Sequence, residues 1–98
     1  MKRYRATICW ISKQKGGRST IPSGDKYAPI IKVCKIEPNT SDFWSIFVVN
    51  EKIISKSKTI ATLKYLSDFA PDNLCEGDKF ELYEGPNLVA TGTITHQL

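Results

Sequence analysis

Apolar and polar side chains alternate along most of the chain with a period of two. Tyr4, Ala6, Ile8 and Trp10 fall on one face, Arg5 and Thr7 on the other, which predicts a strand over 4–10. Polar residues and the pair Gly16-Gly17 stop it. A second strand is predicted over 30–36, with Pro29 tolerated at its start because a first residue needs no ladder donor. The cluster 37–42 reads as a turn. Residues 43–49 form the most apolar run and predict a central strand, and Asn50-Glu51-Lys52 reads as a turn into a short strand 53–55. In 59–66, Ile60, Thr62, Lys64 and Leu66 alternate with Ala61, Leu63 and Tyr65; a helix competes here, but Thr and Ile favour a strand. Residues 70–73 break the chain, and strands 78–84 and 88–95 flank a Gly85-Pro86-Asn87 turn that should fix the register of a closing hairpin. Short strands at this spacing predict an all-β barrel or sandwich in a single domain, 1–98, without repeat or linker.

The chain has 98 residues and ordinary apolar content, 41%, enough for one modest core. No apolar run approaches the roughly 20 residues that span a bilayer. No apolar stretch of signal-peptide length follows the basic start Met1-Lys2-Arg3-Tyr4-Arg5. A cytoplasmic protein without a membrane partner is expected. The net charge of +4 is unevenly spread: +9 over residues 1–66 and −5 over 67–98, where only Lys79 opposes six acids. This predicts a basic face for phosphates and an acidic one elsewhere, or simply solvated loops of both signs.

Cys9, Cys34 and Cys75 are widely spaced, with no Cys-x-x-Cys pair, and His96 is the only histidine. A zinc site needs about four clustered ligands, so no metal and no cofactor are expected. The thiols read as buried or half-buried in a reducing compartment. Gly16-Gly17-Arg18-Ser19-Thr20 lacks the spacing of a phosphate-binding loop, so no nucleotide is expected. His96 lies near the end of the sequence, where fraying works against an oriented imidazole, and no catalytic residue is assigned. Glu76, Asp78, Glu81 and Glu84 read as a solvated acidic face rather than a cation site. The chain is therefore read as a non-enzyme. The strongest binding candidate is the loop 13–27: Lys13, Lys15, Arg18 and Lys26 supply cations, and Tyr27 supplies a stacking ring. Trp10, Trp44, Phe47 and Phe80 are expected in the core; Tyr27 and Tyr83 are the aromatics expected at the surface.

Two segments together resemble the third, C-terminal domain of elongation factor Tu and its relatives. Residues 4–18 carry an opening aromatic, an Ala two residues on, alternating apolar positions and Gly16-Gly17-Arg18, followed by Tyr27-Ala28-Pro29 where that family has Tyr-Arg-Pro. Residues 76–94 are similar to its closing hairpin, with Gly77, Phe80, Glu84-Gly85 and Gly92 in place, and Pro71 precedes them as in the family. The likeness covers the first and last thirds. It implies a closed six-stranded antiparallel Greek-key barrel without the GTPase domain. It also implies RNA contact, since Arg18, Glu84 and Gly85 match positions that touch tRNA, whereas the family's Gln and Lys are replaced by Ile30 and Ala70. The leading expectation is a module that binds structured, tRNA-like RNA through Lys13, Lys15, Arg18, Lys26, Tyr27, Glu84 and Gly85. The alternative is a protein-interaction module mimicking that domain, such as a regulator or immunity-type protein.

Overall fold

A computed structural model describes residues 2–34, 43–70 and 73–98. Six strands, β1 (Tyr4–Trp10), β2 (Ile30–Val33), β3 (Trp44–Ser55), β4 (Lys58–Tyr65), β5 (Lys79–Glu84) and β6 (Asn87–Gln97), close into an antiparallel barrel in the order β1-β4-β3-β2-β5-β6. β2, β3 and β4 follow one another around the wall, while β1 enters β2 through a long loop yet lies beside β4, the Greek-key arrangement. The only helical element among the described residues is a 3-10 turn, Lys13–Lys15.

Alternation decides what the barrel encloses. Tyr4, Ala6, Ile8 and Trp10 of β1 point inward, opposite Ala61, Leu63 and Tyr65 of β4, Ile46 and Val48 of β3, Phe80 and Leu82 of β5, and Ile94 of β6. Each such large side chain contributes about 1.5–3 kcal/mol by leaving water. Gly92 faces inward opposite Phe80, and a Cβ there would lie 2.3 Å from Phe80 Cζ, so the ring fills the space the glycine leaves. At the tip of the β5–β6 hairpin Glu84 pairs with Asn87, leaving a two-residue turn whose first position, Gly85, takes φ 58°. Leu98 N–H donates to Arg3 C=O, tying the last residue to the first strand's entry.

Several expectations need correction. Asn50-Glu51-Lys52 is not a turn: β3 runs through it as one 12-residue strand. A bulge absorbs the extra residue, since Asn50 pairs with Ala61 and Lys52 with Ile60. The true reversal is Lys56-Ser57. Phe47, between inward Ile46 and Val48, is half-buried on the outer wall, and Trp44 is only partly buried against the core. Tyr27 and Tyr83 are half-buried rather than exposed. All three cysteines are exposed: Cys9 projects outward between inward Ile8 and Trp10, Cys34 follows β2, and Cys75 opens the turn before β5. His96 is not frayed but paired with Arg5 inside β6. The expected turn over 37–42, residues 35–36 of the second strand, and Pro71-Asp72 lie outside the described residues.

Candidate nucleic-acid interface

Because neighbouring strands are antiparallel around a closed wall, three connections open at one end of the barrel: the β1–β2 loop, the Lys56-Ser57 turn and the Gly85-Pro86 turn. That end carries every residue singled out for RNA contact.

The β1–β2 loop is shaped by its glycines. Gly16 caps the 3-10 turn in the left-handed region, φ 89°, its N–H donating to Lys13 C=O at 3.0 Å. At Gly17 a Cβ would sit 1.9 Å from Ile11 O, so the close approach this glycine permits is to the chain itself. Gly17 N–H donates to Ser12 C=O and Arg18 N–H to Ile11 C=O, both at 2.9 Å, which turns Arg18 back along the end of β1.

Arg18 then crosses to the β5–β6 hairpin. Its guanidinium pairs with the Glu84 carboxylate, its Nε donates to Thr20 C=O at 3.0 Å, and its Cζ lies 4.8 Å from the centre of the Tyr27 ring. Tyr27 donates its hydroxyl proton to the same Glu84 oxygen at 2.5 Å, and its ring tilts against Trp10 with centroids 5.9 Å apart. Burial pushes the Tyr27 phenol well above its ordinary value, and the hydrogen bond to Glu84 adds to this. Burial also pushes the Glu84 carboxyl up, but the hydrogen bonds from Tyr27 and Arg18 and the charge of Arg18 outweigh it and hold it below its usual value. Burial lowers the Arg18 pKa, yet Glu84 more than compensates and raises it. The three side chains thus form a closed, partly buried knot.

A second network anchors the far side of the loop. Trp10 Nε1–H donates to Thr59 Oγ1 at 2.9 Å, Thr59 donates to Asn50 Oδ1 at 2.7 Å, and Asn50 Nδ2–H donates to Pro22 C=O at 2.8 Å. Thr59 is fully buried, so this relay satisfies polar groups that would otherwise be stranded inside. The loop's exit is laced to β3, where Val48 N–H donates to Tyr27 C=O and Ile46 N–H to Pro29 C=O.

The structure therefore brings Arg18, Tyr27, Glu84 and Gly85 together and leaves Lys13, Lys15 and Lys26 exposed around them, with no ion-pair partner among the described residues. Sequence reasoning missed Lys56, which the β3–β4 turn brings to the same cleft as Arg18. The signal was Ser55-Lys56-Ser57-Lys58, a polar interruption between two alternating runs. Of the hairpin acids, Asp78 accepts from Cys75 N–H and Glu81 from the Tyr83 hydroxyl, so two more carboxylates serve local structure. Among the described residues no three His, Cys, Asp or Glu converge as a metal site requires. Cys9 and Cys34 line one open groove on the outer wall. Burial and the Glu81 charge raise the Cys34 pKa, the opposite of what a nucleophilic thiol needs.

No protein-family model matches the chain, and a search of curated proteins finds no match. Among the described residues no helix is long and apolar enough to cross a membrane.

Proposed function

We propose that this chain is a non-enzymatic binding module, similar to the third barrel of elongation factor Tu, that grips the phosphate backbone of structured RNA with the loop end of the barrel. The observation that carries this reading is the gathering of Lys13, Lys15, Lys26 and Lys56 at that end, exposed and without ion-pair partners, against two acids there: Glu84, already paired to Arg18, and Asp25. Such a charge set attracts polyanions and releases their counterions. In this reading Arg18, Tyr27 and Glu84 hold the loop in shape and the lysines make the contacts. A cytoplasmic setting suits three exposed thiols with no disulfide.

The test is fluorescence anisotropy with bulk tRNA across a salt series. Engagement of three or four phosphates gives a slope of log affinity against log salt of about −3 to −4. The combined change Lys13→Glu, Lys15→Glu and Lys26→Glu abolishes binding without loss of fold. Absence of tRNA binding to the wild type at low salt refutes the proposal.

A protein-docking role is the second reading, favoured by one observation. Phe43, 56% exposed, meets Tyr83 edge-on at 6.1 Å beside Ile30 and Pro86, forming an apolar groove on the outer wall. A protein partner retained after nuclease treatment and lost in Phe43→Ser would favour it over RNA.

A further inference from the structure

Between the β1–β2 loop and the β3–β4 turn lies a small pocket of about 110 Å³. Its polar lining is Ser12, Arg18, Ser19, Thr20, Lys56 and Ser57, and Trp10 and Ile21 are among its apolar wall. We infer that this pocket holds one phosphate group, and, on the RNA reading above, that it is the point where a single backbone phosphodiester is seated.

Three features argue for that ligand. The first is size. The space is a small cleft, open to solvent on one side, with room for a tetrahedral group of five heavy atoms between the loop and the turn. The second is donor supply. Three backbone carbonyls around the pocket are already engaged as acceptors: Ser12 C=O accepts from Lys15 and Gly17, Thr20 C=O from Arg18, and Ser57 C=O from Trp10. Ser12, Ser19, Thr20 and Ser57 line the cavity, and their hydroxyls make no hydrogen bond among the described residues, so their rotatable O–H groups are donors a ligand there can recruit. The third is charge. The Arg18 guanidinium is offset by Glu84, which leaves the Lys56 ammonium as the one uncompensated charge of the lining, matching the single negative charge of a phosphodiester. Arg18 is also held in place by Tyr27 and Thr20, so this wall is organised before a ligand arrives.

The experiment separates this pocket from the broader RNA reading. Lys56→Ala should lower the magnitude of the salt slope for tRNA by about one, roughly an eightfold loss of affinity at 0.1 M salt. Lys64→Ala, at the opposite end of β4, serves as the control and leaves the slope unchanged. Ser19→Ala with Ser57→Ala should weaken binding by roughly fivefold for each hydrogen bond lost, with the slope intact, a readout that a merely diffuse cation would not give. If tRNA binds and either Lys56→Ala leaves the slope unchanged or the double serine variant leaves affinity unchanged, the pocket is overturned and the RNA reading stands. If tRNA does not bind, the RNA reading falls and orthophosphate decides for the pocket. Saturable amide shifts at Ser19 and Ser57, absent with chloride at equal ionic strength, uphold it as a phosphate site; their absence overturns it.

Discussion

Replacing Thr59 by Val keeps the shape and the β-branching of the side chain and exchanges only its hydroxyl for a methyl. The residue is fully buried, and the hydroxyl both accepts from Trp10 Nε1–H and donates to Asn50 Oδ1. Without it the indole N–H loses its partner in a place water does not reach, since Trp10 is only 7% exposed. An unsatisfied buried donor costs about 1–3 kcal/mol. Asn50 is half-buried and recovers part of its loss from solvent, so the sum is about 2 kcal/mol. A chain of this size has roughly 5–15 kcal/mol in total, so the fold survives, with Tm lower by roughly 8–16 °C. Urea denaturation followed by tryptophan fluorescence measures the change. Repeating Thr59→Val in a Trp10→Phe background, where the indole donor is already gone, should recover about 1 kcal/mol or more of coupling. A Thr59→Val protein within about 0.5 kcal/mol of wild type, or a cycle that closes to zero, refutes the relay as a source of stability.

The knot of Arg18, Tyr27 and Glu84 gives stability a pH signature. Glu84 titrates low in the folded state, so its contribution is present above the ordinary carboxylate value of about 4.3 and is lost as pH falls through the lowered folded value. Tyr27 is raised, so its contribution holds below the ordinary value of about 10 and declines as pH rises beyond it. Denaturation midpoints for Glu84→Gln should therefore lose less between pH 5 and 3 than wild type, and those for Tyr27→Phe should lose less above pH 10; unchanged profiles contradict the pairing. Gly92→Ala places a methyl 2.3 Å from Phe80 Cζ and 2.8 Å from Thr7 O, so overpacking should cost about 1–3 kcal/mol in thermal denaturation. A neutral Gly92→Ala protein would mean the ring has room to move.

Much of the wall was legible because period-two alternation reports directly which side chains share a face, as Tyr4, Ala6, Ile8 and Trp10 do. The same pattern already set Cys9 on the opposite face. Residue type points the other way, since cysteine tends to be buried, and here position prevails. Asn50 misleads for a different reason. Its turn-forming chemistry is real, but here the side chain bridges Pro22 and Thr59, partners 28 and 9 residues away in sequence. Local signals cannot report such partners. Lys56 and the pairing of Arg18 with Glu84 escaped likewise, since only closure of the barrel brings the three loops to one end.

That closure divides labour at the loop end. The side chains that fix the backbone there, Arg18, Tyr27 and Glu84 together with the Trp10–Thr59–Asn50 relay, face one another, while Lys13, Lys15 and Lys26 face solvent and support nothing. The outward set is therefore interchangeable. Acidic, aromatic or amide side chains can be written onto those positions while the frame beneath stays the same, so one mould accepts many surface scripts and its outer chemistry can drift without a matching loss of foldedness.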